Sequence, residues 1–331
     1  LGLGLESSCD ETAASVVADG RKVLSNRISS QIDIHRAFNG VVPEIASRAH
    51  LEIVNELVSE ALEESGVSFG DLDYVAATTH PGLVGSLLIA SQSAKAVSFA
   101  LGIPFIAVNH LEAHLSAAFI EHADLEYPFV GLLVSGGNTL LCEVRGSGDM
   151  RLLGRTGDDA VGEAYDKVSK ILGLGYPGGP VIDKLARSAK QRSTVFPRML
   201  VRHDDYSFSY SGLKTAVLTY HRNHPDADLS ETVWGFQESA LEILVRRTMA
   251  ASKNLGIKRI VVAGGVASNS RLRELFSVAC GSGEKIYFPS PIFCTDNAAM
   301  VAVCAHSYYT RGEFTSLSAD VSARYLFNSA V

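Results

Sequence analysis

The chain has 331 residues and a formal net charge of −7, from 29 Lys and Arg against 36 Asp and Glu. At ~150 residues per domain this is about two domains' worth of chain, enough to bury a core without disulfide staples. Its 47% hydrophobic and 20% charged content excludes a disordered chain, and its acidic balance excludes a nucleic-acid binder that works by bulk charge, though not a local basic patch.

Leu1–Leu5 is apolar but gives way at once to Glu6 and Asp10, too short for a signal-peptide core. The first residue is not Met, so a residue or two is expected to precede it. Leu1–Glu6 and Ala13–Ala18 read as a β-hairpin with the polar tip Ser7-Ser8-Cys9-Asp10-Glu11-Thr12. Ala49–Ser65 carries Leu51, Val54, Leu57, Val58, Ala61 and Leu62 at helical spacing, an interface stripe or simply core. Tyr74–Thr78 is a strand that runs through His80–Ser86 into a helix ending near Ala100. Ile103–Val108 is another strand, and Asn109 caps a helix over His110–Ile120. The pattern then restarts. Phe129–Val134 and Leu140–Val144 flank the glycine-rich tip Ser135-Gly136-Gly137-Asn138-Thr139. Residues 146–254 read as mostly helical, with a helix over Gly162–Leu172, the loop Gly173–Pro180, and a helix with Pro180 at its first position. Arg259–Ala263 is a strand leading through Gly264–Asn269 into a helix from Ser270. A last helix runs from Asp296 to Thr310, with Gly312 as its stop. Strands and helices alternate, which favours α/β. A polar-tipped hairpin and a strand–Gly loop–helix unit each occur once per half. That is either an internal duplication or the ordinary repetition of any α/β protein. No run approaches ~20 apolar residues, so no membrane span is expected. The five cysteines are scattered, odd in number and lack a CxxC pair, as reduced thiols of a cytoplasmic protein would.

Four constellations carry potential chemistry. Ser135–Thr139 offers backbone N–H and hydroxyl donors to an anion, or is a plain hairpin turn. Gly264-Gly265 before a helix is a second loop of that kind; neither loop is GxxxxGK[ST] or GxGxxG. His110 and His114 lie four apart, about 40° round a helix, and can grip one metal or simply share a surface face. Leu111 stands where HExxH needs Glu, so a zincin site fails. Asp296 is the candidate third ligand, or an N-cap; two His and one Asp suit Fe(II), and Zn(II) also accepts them. Asp166 and Asp183 flank the Gly173–Pro180 loop as acceptors for sugar hydroxyls or as solvated surface. Arg187, Lys190, Arg192, Arg198 and Arg202 fall within residues 187–202, which hold no Asp or Glu; the patch can hold a phosphate backbone or be a solvated face.

Six motifs occur in order: Glu6-Ser7-Ser8-Cys9-Asp10-Glu11-Thr12, Asn109-His110-Leu111-Glu112-Ala113-His114, Ser135-Gly136-Gly137-Asn138-Thr139, Gly175-Tyr176-Pro177-Gly178-Gly179-Pro180, Gly264-Gly265-Val266-Ala267-Ser268-Asn269 and Thr295-Asp296-Asn297. Together they closely resemble the TsaD family, formerly called Gcp, the tRNA N6-adenosine threonylcarbamoyltransferases of bacterial type. The resemblance spans nearly the whole chain. It implies the α/β ASKHA fold of actin, hexokinase and Hsp70: a duplicated fold of two lobes around a nucleotide cleft, lobe I being 1–125 with 295–331 and lobe II 126–294. It implies a divalent metal, Fe(II) or alternatively Zn(II), on His110, His114 and Asp296. It implies that Ser135, Gly136, Gly137, Asn138, Thr139, Asp166, Gly179, Asp183 and Asn269 meet an adenylate-type substrate or ATP. The implied reaction moves a threonylcarbamoyl group from threonylcarbamoyl-adenylate to N6 of adenosine 37 in tRNA, with Asp10 or Glu11 as base or to orient the amine. The implied partners are ANN-decoding tRNA, a TsaB-like paralogue and a TsaE-like ATPase, with no membrane. Three other readings use the same residues: an ATPase or sugar kinase of the same fold, a metalloprotease, and a non-catalytic scaffold.

Overall fold

The structure, a computed structural model, describes residues 1–38, 40–197, 206–281 and 283–324. The described residues divide into two compact units, one made of Leu1–Leu125 with Thr295–Arg324, the other of Glu126–Cys294.

The first unit begins with β1 (Gly2–Glu6), β2 (Glu11–Ala18) and β3 (Lys22–Ser30), then α1 (Ile32–Arg36), α2 (Pro43–Ser65), β4 (Tyr74–His80), α3 (Val84–Leu101), β5 (Phe105–Asn109), α4 (His110–Ser116) and α5 (Ala118–Glu121). The second holds β6 (Phe129–Val134), β7 (Thr139–Gly146), β8 (Asp149–Arg155), α6 (Val161–Ile171), α7 (Gly178–Arg187), α8 (Ser211–Asn223), α9 (Leu229–Leu255), β9 (Arg259–Ala263), α10 (Ser270–Ala279), β10 (Lys285–Tyr287) and α11 (Pro291–Cys294). The chain returns to the first unit with α12 (Ala298–Thr310).

Each unit carries one five-stranded sheet. The orders are β3-β2-β1-β4-β5 and β10-β9-β6-β7-β8. In both, the first three strands form an antiparallel meander, and the fourth and fifth join parallel to the first and to each other. Strand for strand the two sheets have one topology, so the repetition in the sequence is a duplication of fold. The central strands β1 and β6 are buried along their whole length, as strands covered on both faces must be.

Helices start and stop where local chemistry dictates. Asn109, Asn269 and Asn297 cap α4, α10 and α12, each side-chain oxygen accepting a backbone N–H of the first turn. Gly66, Gly102 and Gly256 end α2, α3 and α9 in the left-handed conformation. Gly264, at φ +93, turns β9 toward α10 with its Cα against the Val134 carbonyl, where a Cβ would come within 2.4 Å.

Several boundaries differ from expectation. β3 and β8 are strands the sequence did not lead us to expect: most of their residues are only half-buried, and β8 lies inside the segment expected to be mostly helical. The short β10 also lies outside the reading. Helix α2 starts at Pro43, six residues before its apolar stripe, because proline suits the first turn. Its face toward the sheet is core (Val54, Leu57, Ala61), while Leu51 is 63% exposed. Pro180 is the third residue of α7, not the first, and α12 begins two residues after Asp296 because Asn297 is the cap. The helix expected over His110–Ile120 is broken at Ala117 into α4 and α5. Helix α3 is long and apolar enough to cross a membrane by length and composition. It packs on β4 and α2, buries Leu87, Ala90 and Ala94, and its buried Lys95 ammonium donates to the Ala319 carbonyl. All five cysteines are free thiols.

Helix α12 lies hard against β1. A Cβ on Gly4 would sit 2.4 Å from the Ala298 carbonyl oxygen and 2.8 Å from the Ala302 nitrogen, both backbone atoms that cannot swing away. Gly4→Ala therefore forces α12 off the sheet. Urea unfolding is expected to show a loss of about 1–3 kcal/mol, whereas Gly70→Ala, with only a side-chain oxygen 3.8 Å away, leaves the midpoint in place.

Candidate functional site

The first unit gathers three metal-type ligands. Strand β5 ends at Asn109, whose cap starts α4, so His110 and His114 occupy the first and fifth helical positions and project from one face. Their rings lie 4.5 Å apart between centroids, nearly perpendicular. The turn before α12 brings Asp296 to them, with Oδ1 3.0 Å from His114 Nε2 and 3.7 Å from His110 Nε2. One potential ligand atom from each residue falls within 4.8 Å of the other two. The histidines are buried, so they are not a surface pair, and Asp296 does not cap α12.

Each imidazole has a definite chemistry. His110 Nδ1 faces the Glu6 carboxylate at 3.4 Å and the Ser8 hydroxyl at 3.1 Å. Glu6 only accepts, so Nδ1 carries the proton and Nε2 is left toward Asp296. His114 is 1% exposed, yet among the described residues neither of its ring nitrogens has a hydrogen-bond partner; Asp296 Oδ1 stands 3.0 Å from Nε2 as an ion-pair contact. A buried imidazole without partners is costly. A cation shared with Asp296 and His110 would satisfy Nε2, and the donor set of two imidazoles and one carboxylate is a known one for divalent metals. The residues fit the group. Burial opposes charge on His110, but Asp296 and Glu6 outweigh it and raise the ring to about 9. Burial likewise pushes Asp296 up, but the two histidines more than offset it and hold the carboxyl at about 2.

Glu6 is the residue that sequence reading quoted but gave no task. It is fully buried at the end of β1, accepts the Ser8 N–H at 2.6 Å, and takes a short hydrogen bond from Thr78. Its signal was a lone carboxylate closing an otherwise apolar strand. Glu112 points to the other side of α4, where it accepts the Tyr308 hydroxyl at 2.7 Å. Asp10 and Glu11 stand in the β1–β2 turn of the same unit. Burial, then the Asp296 and Asp10 carboxylates, push Glu11 up to about 9, and Ser30 donates to it at 3.2 Å.

In the second unit, the Ser135–Thr139 tip is a closed turn. Ser135 N–H donates to the Asn138 carbonyl at 2.8 Å, and Asn138 N–H donates back to Ser135 Oγ at 3.0 Å. Gly136 and Gly137 are exposed, and a Cβ on either would meet nothing within 4 Å. The fold itself does not demand glycine there. The same holds for Gly179. Thr139 accepts the first N–H of α6 at 2.8 Å, and Asp166 on that helix accepts the Gly178 N–H at 2.7 Å, where α7 begins. Asp183 on α7 accepts Ser270 Oγ at 3.0 Å and Arg187 at 2.9 Å. Asn269, beside Ser270, caps α10 and donates to Gln237 at 2.9 Å. Thus the substrate-loop candidates form one hydrogen-bonded chain through α6, α7 and α10. Asp166 and Asp183 are not bare surface: each already holds a neighbouring element in place. Of the basic segment, Arg187, Lys190 and Arg192 are exposed; Arg198 and Arg202 lie outside the described residues.

The TsaD family model, tRNA N6-adenosine threonylcarbamoyltransferase, matches residues 22–303. The chain is 50% identical over 321 residues to a tRNA N6-adenosine threonylcarbamoyltransferase of Clostridium perfringens, covering 96% of this chain and 95% of that one. It is 46% identical to the Clostridioides difficile protein of that name, over 96% and 95%. Among solved structures, T. kodakarensis HypF matches with TM-score 0.64 at 14% identity, over 95% of this chain and 48% of that one. Component A of Acidaminococcus fermentans (R)-2-hydroxyglutaryl-CoA dehydratase matches with TM-score 0.56 at 15% identity, over 93% and 98%. These distant likenesses show the fold, the two-lobed α/β ASKHA architecture. The chain belongs to the TsaD family of tRNA N6-adenosine threonylcarbamoyltransferases.

Proposed function

We propose that this chain carries out its family's reaction with a divalent cation, Fe(II) or alternatively Zn(II), held by His110, His114 and Asp296. The observation that carries the reading is His114, buried beside a carboxylate with neither ring nitrogen hydrogen-bonded among the described residues. The threonylcarbamoyl group passes from threonylcarbamoyl-adenylate to N6 of adenosine 37 of an ANN-decoding tRNA. The N6–carbamoyl bond forms, the bond from the carbamoyl carbon to the phosphate oxygen breaks, and AMP leaves with the electron pair. The cation, when bound, supplies Lewis-acid polarisation and an anchor for the donor. Ser135, Asn138, Thr139 and the open glycine tip hold the donor through N–H and hydroxyl groups. Asp166, Gly179, Asp183 and Asn269 receive its adenosine end. Asp10 takes the N6 proton or orients the amine, and Glu11, whose raised pKa keeps its carboxyl protonated, orients the amine. Lys190 and Arg192, exposed beside Arg187, hold the tRNA backbone. A TsaB-like paralogue and a TsaE-like ATPase act with the chain, in the cytoplasm, where its free thiols stay reduced.

The experiment is mass spectrometry of nucleosides from unmodified tRNA incubated with the protein, its two partners, and threonylcarbamoyl-adenylate. N6-threonylcarbamoyladenosine should form with the intact chain only. His114→Ala should abolish both product and stoichiometric metal. Glu6→Gln, which weakens the hold on His110, should lower metal affinity about 10–100-fold. Full metal content in His114→Ala would remove the assignment.

Gly137→Ala separates ligand contact from folding. Its Cβ meets no atom of the described residues within 4 Å, so the melting temperature should hold or rise slightly. The KM for the adenylate should rise at the same time; an unchanged KM would take the tip out of the donor site. Reversing Lys190 and Arg192 to Glu should raise the KM for tRNA and flatten its salt dependence, by a log–log slope of roughly 1 per lost phosphate contact. The KM for the adenylate should not move.

A further inference from the structure

The tip of the first hairpin is tied down through its carbonyls. The Ser8 carbonyl accepts the Leu83 N–H at 2.9 Å, and the Asp10 carbonyl accepts the Gln31 N–H at 3.0 Å. Between them, the Cys9 carbonyl is held by a side chain, His50 Nε2, at 3.0 Å. His50 lies on α2, far from the metal ligands in sequence, and is fully buried.

Its protonation is fixed by a chain of donors. Val42 N–H donates to His35 Nδ1 at 3.3 Å, so the His35 proton sits on Nε2 and is given to Gln31 Oε1 at 3.1 Å. The Gln31 amide nitrogen then has its two protons for the Ala46 carbonyl at 3.3 Å and for His50 Nδ1 at 3.1 Å. Thr12 Oγ1 closes on the same Nδ1 at 2.7 Å. The Cys9 carbonyl only accepts, so Nε2 carries a proton; in the neutral ring Nδ1 is then the acceptor, its lone pair met by the Gln31 amide and the Thr12 hydroxyl. A second proton on Nδ1 would face the Gln31 amide protons. His35, Gln31, His50 and Thr12 are all at least nine-tenths buried. Burial also lowers the His50 pKa, consistent with a neutral ring. Simple packing would not need such a network; apolar side chains would fill this space without the desolvation cost. What the network does that apolar packing cannot is fix the direction of one carbonyl, and with it the turn that follows.

We propose that His50 is a positioning residue of the transferase reaction: as a neutral imidazole it clamps the Cys9 carbonyl and so sets the turn that presents Asp10 and Glu11. The proposal rests on the transferase reading above. Asp296 acts on both Cys9 and Glu11 through its charge, so this turn and the metal ligands share one electrostatic environment.

The test compares His50→Leu, which removes the donor, with His50→Gln, whose amide nitrogen can still reach the Cys9 carbonyl. His50→Leu should lower kcat for threonylcarbamoyladenosine formation by about 10–100-fold, with the KM for tRNA and the bound metal unchanged. His50→Gln should recover most of that loss. Thr12→Val gives a milder variant should the leucine protein fail to fold, and its kcat should fall in the same direction. Nitrogen NMR of the wild-type histidines should show His50 singly protonated at Nε2 at neutral pH. Full kcat in His50→Leu, no recovery with glutamine, or an Nδ1-protonated ring would overturn the proposal. A wild-type protein that makes no product with active partners would instead remove the transferase reading; the amide shifts of Cys9, Asp10 and Glu11 in the leucine and glutamine proteins would then decide the clamp alone.

Discussion

A carboxylate with no exposure closes the central strand of the first sheet, and the surrounding residues are arranged to tolerate it. Burying an ionised Glu6 costs several kcal/mol unless its lone pairs are met. The Ser8 N–H, the Thr78 hydroxyl and the His110 ring meet them. Those three donors come from the β1–β2 turn, from β4 and from α4, so one charge ties together three elements that are distant in sequence. The burial pushes the Glu6 carboxyl up, yet His110 more than offsets it and the net shift is downward. The same contact decides which nitrogen of His110 is free. Glu6 therefore sets the orientation of one of the three candidate metal ligands without being one itself.

The duplicated topology explains why polar chemistry appears at two hairpin tips. In both sheets the first two strands form a hairpin from the fully buried central strand, and its tip is the first place where backbone leaves the core. The two tips have solved the same backbone problem differently. The 135–139 turn closes on itself through Ser135 and Asn138, and leaves its glycines open. The 7–12 turn is instead tied outward, its carbonyls held by Leu83, His50 and Gln31. One tip is defined by sequence-local bonds and the other by tertiary bonds.

That difference also governs what the sequence discloses. The turn Ser135–Thr139, the Asn109 cap and the His110–His114 pair are local patterns; helical period and turn chemistry suffice to read them. Asp296 could be offered from the sequence as a third ligand or as an N-cap, and only the fold decides between them, because the contact with the histidines closes across nearly two hundred residues of chain. Glu6 and His50 were invisible as site residues. Each stands in an apolar strand or an amphipathic helix, and only burial and partners, which are tertiary facts, give it a task. β3 and β8 were missed for a plainer reason: a third meander strand that is mostly half-buried carries little apolar signal.

The candidate ligands sit where helix caps fix the backbone. His110 is the first residue of a helix whose cap is Asn109, and Asp296 immediately precedes the cap Asn297. Asn297 also donates to the Thr295 carbonyl at 2.8 Å, closing the turn around Asp296 from both sides. A ligand next to a cap inherits the direction of the cap's hydrogen bonds, so fewer of its own torsions remain to be frozen when a cation arrives. Helix α12 then carries that order into the sheet, because Gly4 lets its backbone meet β1 directly. The strand that ends in Glu6 and the helix that begins after Asp296 are thus in backbone contact. Preorganisation of this kind rests on rigid elements rather than loops, and it is what a site needs if binding energy is to act on the reacting bond and not on the assembly of the site.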